Sequence, residues 1–262
     1  MPFHFRIPAV MVTGLTTLLL CVNSSVANEE RTWSEIRPSI IGQSVPEEGA
    51  GPVTLIAPTR AEDAAIVPIE VRIRLPDDAG KVTRLTLVVD ENPAPVAGVF
   101  HLGDGQTAFD VTTRVRVDSY SFVRVIATMD DGRLYMAKSY VKAAGGCSAP
   151  ALKDPVEAKA RLGEMRFRVF ADRGDAQVQV RHPNYSGLQM DQVTRLYTPA
   201  WFVERLDIRQ GEKLLFGLEG GISISEDPTI RFSYRNTGEP VTIEAKDNEG
   251  RVFKQTFPAA GS

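Results

Sequence analysis

The sequence predicts an all-β protein that consists of two immunoglobulin-like antiparallel β-sandwich domains, joined by a cysteine-bearing arm and a short helix. Three observations lead to this prediction. Apolar and polar residues alternate along many short segments, as expected of strands with one buried and one exposed face. Turn sequences separate these segments at nearly regular intervals, which is typical of a sandwich. The alternation stops over residues 143–163 and then resumes, which divides the chain into two similar halves.

The first 27 residues have the composition of an export signal. Arg6 precedes an apolar run over residues 7–22, and Ser25-Val26-Ala27 places small residues where a signal peptidase cleaves. A membrane anchor is the alternative, but this run is shorter than the roughly 20 residues that a membrane-spanning helix requires. We therefore expect residues 1–27 to be a cleaved signal peptide and the remaining chain to be exported without a membrane anchor.

The first predicted domain covers residues 28–142. It begins with a short helix, because Thr32 and Glu35 form a possible capping box and Pro38 limits the length of the helix. Strands with a period of two follow, and their alternating segments are residues 69–75, 85–89, 109–117 and 123–127.

The second predicted domain covers residues 164–262, and residues 143–163 connect it to the first. Its alternating segments are residues 165–169, 178–180, 230–234 and 241–245. The connection starts with an arm and continues into a short helix, with Asp154 as its N-cap, Pro155 as its first residue and Gly163 after its end.

Composition excludes several kinds of function. The net charge is −3 and the basic residues are scattered, so nucleic acid is not an expected partner. Only His101 and His182 follow the signal peptide, and the chain has no Cys-x-x-Cys pair and no glycine-rich phosphate loop. We therefore predict no metal site, no cofactor and no catalytic residue, and we interpret each histidine as a structural residue. A Cys-His nucleophilic pair stays arithmetically possible.

Cys147 is the one cysteine that follows the signal peptide. Cysteines of exported proteins usually pair, so an isolated thiol is explained by pairing between molecules, by burial as a small apolar residue, or by a chemical role. Residues 143–151 contain only Ala, Gly, Cys, Ser and Pro, which offer no apolar face for burial. Gly145 and Gly146 add backbone freedom. The pattern therefore predicts an exposed thiol on a mobile arm hinged at these two glycines, which suits a carrier better than a catalyst.

The order of several short motifs resembles a known family, the SoxY and SoxZ carrier proteins of the bacterial sulfur-oxidising system. Residues 58–149 are similar to SoxY, and residues 164–257 are similar to SoxZ. The motifs that carry the resemblance to SoxY are Asn92-Pro93-Ala94-Pro95, Asp131-Gly132 and Gly145-Gly146-Cys147. Those that carry the resemblance to SoxZ are His182-Pro183-Asn184-Tyr185-Ser186-Gly187, Thr198-Pro199-Ala200 and Ile224-Ser225-Glu226-Asp227-Pro228. The chain is thus similar to a fused SoxYZ-like carrier, of the type associated with quinoprotein dehydrogenases.

This resemblance implies a periplasmic carrier without catalytic activity. Cys147 would hold a small sulfur-containing or other electrophilic substrate covalently, with Gly145 and Gly146 as the hinge of the arm. The implied partners are periplasmic oxidoreductases, either Sox-type enzymes or a PQQ-dependent alcohol dehydrogenase system. The family's arm ends in Gly-Gly-Cys-Gly-Gly at a free terminus, whereas here Ser148 follows Cys147 and the chain continues into a second domain. This departure leaves open whether the cargo is thiosulfate.

Two other functions compete with the carrier. One is a non-covalent accessory subunit of a periplasmic quinoprotein dehydrogenase, in which the thiol is incidental. The other is a cysteine hydrolase. Replacement of Cys147 separates the carrier from the accessory subunit, because only the carrier depends on the sulfur atom.

Overall fold

The computed structural model describes residue 1 and residues 23–49, 51–76, 78–151, 155–191 and 194–259. Most of the predicted signal peptide lies outside the described residues, as does Asp154, the predicted N-cap. Within the described residues, no helix is long and apolar enough to cross a membrane.

The described residues form two helices and fifteen strands. The helices are α1 (Asn23–Ile41) and α2 (Pro155–Ala160). The strands of the first half are β1 (Glu47–Glu48), β2 (Val53–Ile56), β3 (Val67–Arg74), β4 (Val82–Val89), β5 (Val96–Gln106), β6 (Ala108–Val115), β7 (Ser121–Met129) and β8 (Leu134–Val141). Those of the second half are β9 (Met165–Phe170), β10 (Asp175–Val180), β11 (Val203–Gln210), β12 (Lys213–Gly220), β13 (Thr229–Ser233), β14 (Val241–Asp247) and β15 (Val252–Phe257). The prediction of an all-β protein is confirmed.

The strands form two sheets, and both sheets run through both halves of the chain. The nine-stranded sheet has the order β1-β8-β7-β4-β5-β12-β11-β14-β15, and the six-stranded sheet has the order β2-β3-β6-β13-β10-β9. At the junction of the halves, β5 pairs with β12 and β6 pairs with β13, both antiparallel. The two predicted sandwiches are therefore joined edge to edge into one continuous double layer. This pairing covers strand edges that would otherwise stay open.

A single hydrophobic core fills the space between the sheets across the junction. The core is formed by the inward-facing residues of alternating strands. In β3, for example, Ile69, Val71 and Ile73 are buried, while the residues between them face outward. At the junction the ring of Phe216 from the second half lies 6.1 Å from that of Phe109 in the first half, measured between ring centroids. Burial of each such ring contributes roughly 1.5–3 kcal/mol. The two halves are thus held together by apolar packing as well as by backbone hydrogen bonds.

Helix α1 differs from the predicted short helix. It spans 19 residues, contains Pro38 in its last turn and has Thr32 in its interior, so the predicted capping box does not start it. Trp33 is buried against the outer face of the nine-stranded sheet in a small cluster with Ile126 and Met136. This apolar contact stabilises a longer helix than the local cap signal indicates, because helices in proteins depend mainly on packing.

Helix α2 agrees with the sequence. It begins at Pro155, as predicted, and Gly163 follows its end with a φ of +79°. The N–H of Gly163 donates to the carbonyl oxygen of Arg181 at 2.8 Å, which fixes the chain as it enters β9. A positive φ of this kind favours glycine.

Candidate functional site

The arm leaves the end of β8 and folds back into the junction between the two halves. Its backbone follows the segment that comes after β6: the N–H of Gly145 donates to the carbonyl oxygen of Asp118 at 2.7 Å, and the N–H of Gly146 donates to that of Val117 at 3.0 Å. Residues 146–148 form a turn, with Cys147 in its middle. The arm is therefore docked on the body of the protein in this structure.

The two glycines of the arm meet different structural requirements. Gly145 has a φ of +78°, a left-handed conformation, and a Cβ atom there would meet the hydroxyl oxygen of Ser148 at 3.8 Å, an ordinary contact distance. Gly146 lies against backbone: a Cβ atom there would be 2.1 Å from the carbonyl oxygen of Ala64 and 2.7 Å from that of Val117. Gly145 thus permits the bend and Gly146 permits the close approach. The predicted hinge role of both residues stays a prediction.

Cys147 is completely buried, with 0% of its surface exposed. The expectation of a solvent-exposed thiol on a free arm is therefore wrong for this structure. The physical reason is that the groups covering the thiol come from distant parts of the chain and not from its sequence neighbours. Asp118 is one of them, since its Oδ1 accepts a hydrogen bond from the N–H of Cys147 at 3.2 Å. The predicted attachment of a substrate at Cys147 stays a prediction.

The second half of the chain also holds the arm. The hydroxyl of Ser186 donates to the carbonyl oxygen of Cys147, and Nε2 of Gln189 donates to that of Ala149 at 2.9 Å. Both side chains are buried. The arm of the first half is thus enclosed by residues of both halves.

A buried arginine lies beside the arm. Arg116 is 2% exposed, and its guanidinium donates from Nη1 to the carbonyl oxygen of Gly146 at 3.1 Å and from Nη2 to that of Asn184 at 3.3 Å. Its Nε has no hydrogen-bond partner, and no carboxylate among the described residues forms an ion pair with it. The carboxylates of Glu226 and Asp63 act on this guanidinium from a longer range. A buried cation without a directly bonded carboxylate is costly.

The sequence analysis did not identify Arg116. It alternates with Val115 and Val117, so the period of two places it on the polar face of a strand. In the structure, the second half of the chain covers that face. The backbone N–H of Arg116 donates to the carbonyl oxygen of Ser223 in the second half at 2.7 Å. The one available signal is the position of Arg116 shortly after β6, in the segment against which the arm docks.

The environment of Cys147 keeps its thiol protonated. Burial, which is the largest cause, and the carboxylate of Asp118 together raise the pKa of Cys147 to about 12, against the opposing effect of the Arg116 guanidinium. Burial also lowers the pKa of Arg116, and the carboxylates of Glu226 and Asp63 oppose this effect. A thiolate is the reactive form of cysteine, so the docked thiol is inert at neutral pH.

Both histidines have partners away from Cys147. Nε2 of His101 lies 3.0 Å from a carboxylate oxygen of Glu219 on the sheet surface. The ring of His182 is buried, and its Nδ1 accepts a hydrogen bond from the N–H of Asn184 at 3.1 Å. The possible Cys-His pair is not formed in this structure. Among the described residues, no group of three or more metal-ligating side chains could hold a metal ion.

The described residues thus form an all-β protein of two joined sandwiches, with one cysteine on an arm that docks at their junction. The comparisons name the family. Residues 37–147 match the model of sulfur oxidation protein SoxY, and residues 168–258 match that of sulphur oxidation protein SoxZ. The chain therefore belongs to the SoxY and SoxZ sulfur-oxidation carrier proteins, with both domains fused in tandem.

This membership confirms several expectations. SoxY and SoxZ are carrier and accessory proteins and not catalysts, which agrees with the prediction that the chain is not an enzyme. Carriers of this family work with Sox enzymes, so the expected oxidoreductase partners are confirmed at that coarse level. The SoxY match ends at Cys147 itself.

Similar solved structures include the sulfur carrier protein SoxY from Chlorobium limicola f thiosulfatophilum, at 22% identity and a TM-score of 0.38, covering 46% of this chain and 98% of that one. A β-glycosidase from Bacteroides vulgatus has 7% identity and a TM-score of 0.25, over 82% of this chain and 25% of that one. A glycosyl hydrolase family 2 member from Bacteroides cellulosilyticus DSM 14838 has 8% identity and a TM-score of 0.23, over 78% and 28%. TM-scores this low give the three similarities no weight for function. The search of curated proteins finds no match.

Proposed function

We propose that this protein is a periplasmic carrier that holds a small sulfur compound covalently on Cys147 and presents it to partner oxidoreductases. The observation that carries the proposal is the position of Cys147. It directly follows Gly145 and Gly146 at the end of the SoxY match, and it lies at the junction with the SoxZ-like half. The signal-like residues 1–27 support a periplasmic location.

The docked arm is the resting state of this carrier. The arm has exposed residues on both sides of its buried thiol, namely Ala144, Ser148 and Pro150. The arm therefore lies at the surface of the protein. The arm belongs to no strand, and hydrogen bonds to loops and side chains hold it in place. Opening therefore leaves both sheets intact. While docked, the thiol is protonated and shielded, which protects an unloaded carrier from oxidation.

Arg116 supports a negatively charged cargo. A thiol couples with thiosulfate by forming a sulfur-sulfur bond, with release of one proton and two electrons that a partner oxidoreductase accepts. The product is a thiosulfonate, in which a sulfonate group is attached through a second sulfur atom to the sulfur of Cys147. Its negative charge would be attracted by the buried guanidinium of Arg116, whose hydrogen bonds go to backbone carbonyl oxygens and on which the carboxylates of Glu226 and Asp63 act from a longer range. A neutral adduct, such as that of an aldehyde from an alcohol dehydrogenase, would lack this attraction.

The burial of Cys147 favours a second function, the accessory subunit of a quinoprotein dehydrogenase with an incidental thiol. A buried cysteine with a pKa of about 12 behaves as an inert apolar residue. The polar surroundings of the thiol argue against this view, because Asp118 and Arg116 are poor neighbours for a side chain that only fills space.

Intact-mass analysis of the protein isolated from its native compartment tests the proposal. We expect a fraction of the wild-type chains to carry one added sulfur oxoanion that a reducing agent removes. A Cys147→Ser variant should lack the adduct and fail to support sulfur oxidation. Ser148→Ala is the matched control, since Ser148 is the exposed neighbour and its replacement should preserve both properties. Full activity of Cys147→Ser would establish the accessory function instead.

A further inference from the structure

We propose that Ser186 and Gln189 of the SoxZ-like half form a latch that holds the arm of the SoxY-like half closed over its thiol. The latch lies in the turn that follows β10, over residues 185–189. It consists of the two donors already described, the hydroxyl of Ser186 to Cys147 and the amide of Gln189 to Ala149. These bonds join residues about 40 positions apart in sequence and cross the junction between the halves.

The two latch residues are oriented by each other. Oε1 of Gln189 accepts a hydrogen bond from the N–H of Ser186 at 3.3 Å, so its amide nitrogen is turned toward the arm. Oγ of Ser186 accepts a hydrogen bond from the N–H of Leu188 at 3.2 Å, which leaves its hydroxyl hydrogen for the arm. Each side chain thus uses its acceptor within the turn and its donor on the arm. The donors keep their orientation when the arm is absent.

The turn that carries the latch is itself anchored to the second half. Tyr185 and Trp201 exchange two backbone hydrogen bonds, of 2.8 and 3.0 Å. Ser186 and Gln189 are each only 3% exposed, because the arm covers them. When the arm leaves, both donors become accessible to water. Opening therefore leaves neither donor buried without a hydrogen-bond partner.

The contacts within the first half have a different consequence. Asp118 and Arg116 belong to the same half as the arm and bond to its backbone, although Arg116 also donates to the carbonyl oxygen of Asn184 in the second half. The latch adds bonds that depend on the second half alone. Displacement of its turn therefore weakens the docking of the arm without disturbing a strand, which places control of the thiol in the SoxZ-like half.

The test measures the reaction of Cys147 with 4,4′-dithiodipyridine, a disulfide reagent that also reports on thiols in acid, in the chain from residue 28 onward, which contains no other cysteine. We expect Ser186→Ala and Gln189→Ala each to raise the rate roughly fivefold, the effect of one lost hydrogen bond on the fraction of open arm. Ser225→Ala is the matched control for the serine: its hydroxyl donates to the carbonyl oxygen of Ala65, also across the junction, but not to the arm. Gln179→Ala is the control for the glutamine, since its amide bonds only to Thr229.

Gln189→Glu provides a readout that a general loss of stability would not produce. The carboxylate keeps the acceptor for the Ser186 N–H but cannot donate to the arm, so the rate relative to wild type should rise at neutral pH. Protonation of the carboxyl group restores a donor. The ratio should therefore return toward one as the pH falls below the usual range of a glutamate pKa.

Three results would overturn the latch. They are wild-type rates in both alanine variants, an equal rate increase in the two controls, and a ratio for Gln189→Glu that does not change with pH. The inference rests on the proposed function only in requiring that the arm opens. If the native protein carries an adduct on Cys147 but the latch variants react at wild-type rates, the latch alone is refuted. If the latch variants react faster but the native protein carries no adduct, the proposed cargo alone is refuted.

Discussion

Replacement of Gly146 by alanine should expel the arm from its docked position. The added methyl group would lie 2.1 Å from the carbonyl oxygen of Ala64 and 2.7 Å from that of Val117. Both obstacles are backbone atoms, so no side-chain movement can relieve the overlap. The turn that carries Cys147 must therefore leave its site.

The expected size of the effect follows from the pKa of the thiol. Docking raises this pKa to about 12, from an ordinary value of 9.0. A release of the arm thus raises the thiolate fraction at pH 7 by about a thousandfold, since each unit of pKa is a factor of ten. The pH dependence of docking has the same cause. The docked state favours the protonated thiol, so the free energy of docking is most favourable below pH 9 and weakens as the pH rises from 9 toward 12.

Alkylation by iodoacetamide between pH 7 and 10, followed by mass spectrometry, measures this effect. For wild type the rate should rise tenfold per pH unit without a plateau, whereas Gly146→Ala should react far faster and level off near pH 9. Gly145→Ala is the matched control, because the methyl group would meet only the Ser148 hydroxyl, at an ordinary contact distance of 3.8 Å, and would add the strain of a positive φ, about 1–2 kcal/mol. Circular dichroism confirms that each variant is folded. A folded Gly146→Ala whose thiol is as inert as that of wild type would refute the reasoning.

Two further predictions concern buried charges away from the arm. In a urea titration, Asp90→Asn should lower the free energy of unfolding by roughly 3–5 kcal/mol, because it removes the carboxylate that lies 2.8 Å from the fully buried guanidinium of Arg124. Glu30→Gln is the control. Glu30 contacts the same guanidinium from its exposed side, so this replacement should lower the free energy of unfolding by less than about 1 kcal/mol. Burial lowers the pKa of His182, so the folded state favours the neutral ring, and the stability that this ring contributes above about pH 6.5 should be lost as the pH falls below that value. Between pH 7 and 5, the urea midpoint of His182→Gln should therefore fall less than that of wild type. An unchanged pH dependence would contradict this second prediction, and His101→Gln, on the sheet surface, serves as its control.

The strands could be predicted because their pattern is local. Alternation over residues 69–75 and 241–245 reports which side of each strand is buried, and the structure places β3 and β14 there. Helix α2 was predictable for the same reason, since Pro155 and Gly163 mark its ends within the chain itself. The joining of the two sandwiches was not predictable, because the pairing of β5 with β12 depends on residues more than 100 positions apart.

The candidate site shows the same division. Cys147 could be selected from the sequence because it is isolated from other cysteines and directly follows two glycines, and these are properties of the sequence itself. The expectation of exposure was wrong because small neighbours do not by themselves leave a thiol in solvent. Arg116 was missed because its position in a period-two pattern indicates a polar face, and only the second half of the chain converts that face into a buried one.

The sequence alone therefore determined the all-β class, the tandem of SoxY-like and SoxZ-like segments and the identity of the arm cysteine. Each of these depends on residues that are close together in the chain. Only the tertiary structure decided that the arm is docked, that burial raises the pKa of its thiol and that Ser186 and Gln189 donate hydrogen bonds to its backbone. The physical reason is that burial and pKa are set by whatever atoms surround a group in space, and for Cys147 those atoms come from both halves of the fold.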